Sequence, residues 1–123
     1  MQGEQVEADK KKGIDLMEKA ANAGNKTAAS NMSLAYRKGD GVEVNIEKSI
    51  EWAIKAAELG DDDRIFQYAV AYFNGEDPVT EDKAKAVEFF VLAANAGSST
   101  AMENLGVCYN NGYGVALDKN KAI

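Results

Sequence analysis

Residues 45–60 read NIEKSIEWAIKAAELG, and the chain carries this phrase three times: residues 82–97 read DKAKAVEFFVLAANAG and residues 9–24 read DKKKGIDLMEKAANAG. Each copy opens on a residue suited to cap a helix (Asn45, Asp82, Asp9) and places a lysine three residues on (Lys48, Lys85, Lys12). Each then sets a large apolar side chain at one offset (Trp52, Phe89, Leu16) and closes on an alanine pair and a glycine (Gly60, Gly97, Gly24). The closing glycines lie 36 and 37 residues apart, and a period in this range marks supersecondary units that stack on one another.

Between the copies runs a second kind of helix. Over residues 26–38, Ala28, Met32, Ser33 and Tyr36 fall on one side at about 100° per residue, with Asn25 placed to cap the start. Gly39, Asp40, Gly41 and Val42 then make a turn, so the unit is helix, tight turn, helix. In the second unit Asp61 is expected to cap a helix over residues 62–73, in which Tyr68, Ala69 and Tyr72 take the inward positions. Its turn, residues 75–79, is one residue longer and holds the single proline, Pro78, which explains the change of period. Ser98 caps the third unit, which continues through Ala101, Leu105, Gly106, Tyr109, Gly112, Gly114, Val115, Asp118, Lys121 and Ala122 and stops at Ile123 inside its second helix. The first copy predicts a helix over residues 9–23, weakened at Gly13 by roughly 1 kcal/mol, and residues 2–8 either extend it or fray. The whole reads as one all-α repeat domain over residues 1–123: a half repeat (9–24), two whole ones (25–60 and 61–97) and a truncated one (98–123).

Composition narrows the function. At 46% apolar, 123 residues hold enough core for one domain, and the abundant alanine suits helices packed closely. A formal charge of −6 without a basic block speaks against nucleic acid and against anionic membrane. No apolar run nears the roughly 18 residues that span a bilayer, and residues 1–12 are too polar for a signal peptide. Cys108 is the only cysteine, so no intrachain disulfide forms and a reducing cytoplasm is compatible. The absence of histidine removes the commonest general base and metal ligand, so neither a cofactor nor a tightly bound transition metal is expected. The acidic run Asp61, Asp62, Asp63 lacks calcium-loop spacing and fits a helix start.

The pattern resembles the Sel-one-like repeat family, relatives of the tetratricopeptide repeats. The resemblance rests on Ala28, Met32, Ser33, Tyr36, Gly39, Gly41, Val42, Asn45, Lys48, Ser49, Trp52, Lys55, Ala56, Ala57 and Gly60 at the family's offsets, and it covers residues 9–123. Arg64 stands where the pattern has alanine, and Tyr68 and Ala69 where it has leucine and glycine. The resemblance implies an α/α solenoid, a right-handed superhelix of antiparallel helix pairs that acts as a scaffold for other proteins. It also implies that the first helices line the concave side.

Tyr36, Tyr72 and Tyr109 recur at the period and are expected as core spacers with hydroxyls at the edge, Trp52 and Cys108 as core, Lys19 and Lys55 along the surface. Opposite the buried side of the first helices lie Ser30, Leu34 and Arg37, then Phe66, Val70 and Phe73, then Glu103, Val107 and Asn110. The row Leu34, Val70, Val107 is either buried between adjacent first helices or forms the floor of a groove. In the second reading Phe66 and Phe73 are anchors for a partner, and the amides of Asn31, Gln67 and Asn104 bind its backbone. The leading functional expectation is a protein or peptide scaffold. Its rivals are a carboxylate-type hydrolase, because disulfide-rich members of the resembled family are linked to lactam hydrolysis, and a purely structural or regulatory subunit. The flank of the third unit, with Met102, Leu105 and Tyr109, is expected to be partly uncovered and to support a symmetric homodimer.

Overall fold

The computed structural model describes residues 2–114, with side chains from residue 8 onward. Among these residues there are six helices and no strand: α1 (Gln2–Asn22), α2 (Lys26–Lys38), α3 (Ile46–Glu58), α4 (Asp63–Asn74), α5 (Lys83–Asn95) and α6 (Ser99–Asn111). The helix start at residue 2 settles the open question at the N-terminus. The second helix expected for the third unit, with Val115, Asp118, Lys121 and Ala122, lies outside the described residues.

Two kinds of turn alternate, and each follows from a glycine. At the end of α3 the Gly60 N–H reaches the Ala57 carbonyl at 3.0 Å and the Asp61 N–H reaches Ala56 at 2.8 Å; Gly24 with Asn25, and Gly97 with Ser98, repeat this pair of bonds. This six-to-one closure needs the left-handed φ of 107° that Gly60 adopts without strain. The next residue then starts the following helix. Asn25 Oδ1 accepts the Ala28 N–H at 3.0 Å and Ser98 Oγ accepts that of Ala101 at 3.0 Å, so a stop and a start share two residues. Asp61 differs from expectation: Asp62 is the boundary residue and makes no side-chain cap, while Asp61 Oδ1 accepts the Asp63 N–H at 3.1 Å, so α4 begins one residue late. The wider turns after α2 and α4 return to the stack through Asn45 and Asp82, whose N–H groups bond the Tyr36 and Tyr72 carbonyls at 2.9 and 2.8 Å.

The packing is antiparallel within the pairs α2–α3 and α4–α5, with α1 against α2 and α6 against α5. Like helices also stack, α2 beside α4 and α3 beside α5. The largest buried cluster joins Ala53, Ala57, Ile65, Tyr68, Ala69, Ala86, Phe89, Phe90, Ala93 and Ala101, and two smaller ones meet at Trp52. Trp52 is half-buried rather than core: it lies at the seam with α1, and Lys55 Nζ stands 5.6 Å from its ring centroid. Lys55 is therefore half-buried, and it also donates to Asn22 Oδ1 at 3.1 Å. Lys19 is exposed as expected, and the three repeat tyrosines are half-buried.

Where α2, α3 and α4 meet, three hydroxyls are enclosed. Ser33 Oγ donates to the Ser49 carbonyl and Ser49 Oγ donates to the Ser33 carbonyl, both at 2.7 Å. Each serine has one proton to give, so the 2.6 Å contact between Ser49 Oγ and the Tyr68 hydroxyl requires the tyrosine to donate. Burial pushes the Tyr68 phenol above its ordinary value, against the lowering effects of the Ser49 bond and the Arg37 charge. Below about pH 10 the phenol is protonated in both the folded and the unfolded chain and its contribution is whole. Above that the unfolded chain releases its proton first, so stability falls as pH rises toward the raised native value. Tyr68→Phe is expected to cost about 1 kcal/mol at pH 7 in urea unfolding, and the gap from the wild type is expected to narrow above about pH 10. A gap that stays constant to high pH would contradict a buried, donating phenol.

Candidate functional site

The outward row of the first helices divides into two unlike halves. Between α2 and α4 the space is crossed by Arg64, whose Nε donates to Ser30 Oγ at 3.2 Å and whose Nη1 donates to Gln67 Oε1 at 3.3 Å. The departure from alanine at residue 64 thus fills the space between these two helices. Between α4 and α6 no such strap is present among the described residues, and a cleft of about 230 Å³ opens, lined by Val70, Phe73, Asn74, Phe90, Asn104, Val107 and Cys108.

Four of the eight residues expected to meet a partner therefore share one site: Val70, Phe73, Asn104 and Val107. Val107 is the most open of the apolar ones, at 51% exposure, and Asn104 is half-buried at the rim. Asn31 and Leu34 lie on α2, outside the cleft, and Gln67 is engaged by Arg64. Phe66 and Phe73, read from the sequence as anchors for a partner, are both half-buried and set an edge against Phe90, at centroid separations of 5.8 and 6.5 Å. They support the wall as much as they face outward, so exchanging them for serine would remove packing as well as any anchor.

Three lining residues were not read from the sequence as part of a site. Phe90, 3% exposed, stands where the first repeat has Ala53, and a large ring at a small position is the signal that a neighbour must have moved aside. It forms the floor. Asn74 follows Val70 by one helical turn and carries the amide line along α4. Cys108 is buried as expected, at 1% exposure, yet its residue also borders the cleft. Lys83 stands beside Phe73: its Nζ donates to the Phe73 carbonyl at 3.0 Å, pairs with Glu81 at 2.9 Å and stands 4.0 Å from the Phe73 ring centroid.

The lining is apolar with two amides, and none of its seven residues carries a charge. Burial pushes the Cys108 thiol up, only partly offset by the Lys83 charge, so the thiolate that would act as a nucleophile is disfavoured near neutral pH. Elsewhere, Asp61, Asp62 and Asp63 bring carboxylate oxygens within 4.8 Å of one another. Burial, with the neighbouring Asp63 and Asp61 charges, raises the Asp62 pKa, which fits a crowded helix start. Among the described residues no helix is long and apolar enough to cross a membrane.

Comparison with known sequences follows the same repeat. Residues 1–25, 27–61, 65–98 and 99–123 each match the Sel1 repeat. The chain belongs to the Sel1 repeat family. Members of this family generally mediate protein–protein interaction. Over 114 residues the chain is 31% identical to the chitin synthase regulator SKT5 of Saccharomyces cerevisiae, an overlap covering 91% of this chain and 16% of the yeast protein. The chain thus spans a small part of that relative's length. The crystal structure of a Sel1 repeat protein from Oxalobacter formigenes aligns with a TM-score of 0.66 and 31% identity, covering 89% of this chain and 82% of the other. The antigen c5321 of uropathogenic Escherichia coli, which displays an SLR fold, aligns with a TM-score of 0.62 and 29% identity over 89% of this chain and 23% of the antigen.

The enclosed thiol provides a direct check on the cleft. Labelling of Cys108 by a thiol reagent at pH 8 is expected to be at least about tenfold slower in the native protein than in urea, because it requires a rare thiolate and local opening. Equal rates would mean that the side chain is open to solvent.

Proposed function

We propose that this Sel1 repeat domain is a scaffold that holds a segment of another protein along its concave side, with one apolar side chain of that segment seated between α4 and α6. The observation that carries the reading is the cleft itself, an apolar floor of Phe90, Val70 and Val107 with the amides of Asn74 and Asn104 at its border. Its volume of about 230 Å³ is smaller than the roughly 300–1,000 Å³ of a small-molecule site. It suits one or two side chains, while the amides can bond the backbone that carries them. A hydrolase would need charged or nucleophilic groups converging there, and the lining offers one disfavoured thiol. The regulatory role in the name of the yeast relative is in keeping with action on another protein.

A displayed peptide library selected on the purified protein tests this reading. Enriched peptides are expected to share an aromatic or aliphatic anchor, and Val107→Asp is expected to weaken their binding at least about tenfold, since it places a charge against a desolvated anchor. Asn104→Ala is expected to act in the same direction with a smaller effect. Because Val107 is 51% exposed, its substitution should leave the melting temperature close to that of the wild type. Failure to enrich any peptide family, or enriched peptides indifferent to Val107→Asp, would rule the cleft out. Turnover of a chromogenic lactam by the purified chain would favour the hydrolase instead.

A further inference from the structure

The chain has two arginines, and both reach the seam between α2 and α4. Arg64 extends from α4 to Ser30 of α2, while the Arg37 guanidinium, near the end of α2, stands 6.0 Å from the ring centroid of Tyr68 on α4. Both charges oppose the burial that raises the Tyr68 phenol, as expected of two cations beside one residue. Ser30 and Arg37 are separated by two turns of α2, about 10 Å. Arg64 therefore marks one end of the seam and Arg37 the other, with the half-buried Leu34 between them.

Neither guanidinium pairs with a carboxylate among the described residues, although the chain has 20 acidic residues. The acids nearest in the chain are engaged elsewhere: Asp40 pairs with Lys10 at 2.9 Å, and Asp61 accepts the Asp63 N–H. Burial and the charges of Asp63 and Asp61 raise the Asp62 carboxyl with no offset from Arg64, so that guanidinium points away from the acidic cluster. Of the six helices, α2 alone has no acid, while it carries Lys26, Arg37 and Lys38. Arg64 spends Nε and Nη1 inside the fold and leaves Nη2 without an acceptor; Arg37 is exposed and donates no hydrogen bond among the described residues. A guanidinium held by a hydrogen bond or against a ring is ready for a carboxylate, which it binds through parallel N–H···O bonds.

We propose that the α2–α4 seam binds acidic side chains of a partner segment, one carboxylate on Arg64 and another on Arg37, with an apolar residue over Leu34. In an extended segment the two acids are about three residues apart, at ~3.3 Å per residue. The net charge of −6 does not prevent this, because a Debye length of about 8 Å at physiological ionic strength screens distant acids more than a carboxylate in contact. The inference rests on the reading of this outward row as a surface that holds a segment of another protein, but it uses no residue of the cleft.

A displayed peptide library selected on the full chain tests it, with the enriched peptides then titrated against variants. Enriched families are expected to carry Asp or Glu at a fixed spacing, and Arg37→Gln with Arg64→Gln is expected to weaken them at least about tenfold. Lys11→Gln with Lys12→Gln changes the charge equally on exposed positions of α1 and is expected to leave binding unaltered. Families that need Val107 but neither arginine overturn this inference alone; families that need the arginines and ignore Val107→Asp overturn the cleft alone. An equal loss in the lysine variant reduces the effect to overall charge and overturns the seam, and the absence of any enriched family overturns both readings. Should Arg64→Gln lose helicity, Arg37→Gln decides by itself, since Arg37 is exposed: at least about threefold weaker binding is expected, and unchanged binding overturns the proposal.

Discussion

Close approach between helices, made by small side chains at fixed places, is the constraint on which this structure depends. Ala29, Ala53, Ala56, Ala69, Ala86, Ala93 and Ala101 are all fully enclosed. Each leaves room for a backbone where a leucine would need space that is not there, and overpacking of such a contact costs about 1–3 kcal/mol. The glycine turns serve the same end. A left-handed glycine followed at once by a capping residue reverses the chain in two residues, which holds successive helices in contact.

The departures from the repeat are where the outward row of the first helices acquires its character. Arg64 in place of alanine fills the gap between the first two first helices by bonding Ser30 and Gln67. Phe90 in place of the alanine of the preceding repeat supports Phe66 and Phe73 from below and leaves a cleft beyond them. A regular array would offer the same shallow furrow at every step. Here one step is closed and the next is open, so the surface offers one cleft rather than a uniform furrow.

The Ser33, Ser49 and Tyr68 hydroxyls belong to the same group of departures, but they act on the inside. Polar groups at positions that are small or apolar in the resembled pattern are tolerated because every proton and lone pair in use finds a partner. The network ties the first repeat to the second at the one junction where a tyrosine replaces an aliphatic residue. It thereby fixes the register of α4 against α2 and α3.

The sequence by itself determined the elements, their order and their stacking, because these rest on local chemistry that recurs in print: a capping Asn, Asp or Ser, an apolar period of 3.6 and a glycine at each helix end. It also pointed to the outward row, since Val70, Phe73 and Val107 follow from their angular offset from Tyr72 and Tyr109, with Asn104 flanking them. What the sequence left open was which parts of that row are covered. Leu34 and Val107 occupy equivalent places, yet one is half-buried and the other is 51% exposed. The difference is set by the reach of Arg64 and by the bulk of Phe90 on another helix. Those are contacts between residues far apart in the chain, and only the tertiary structure decides them.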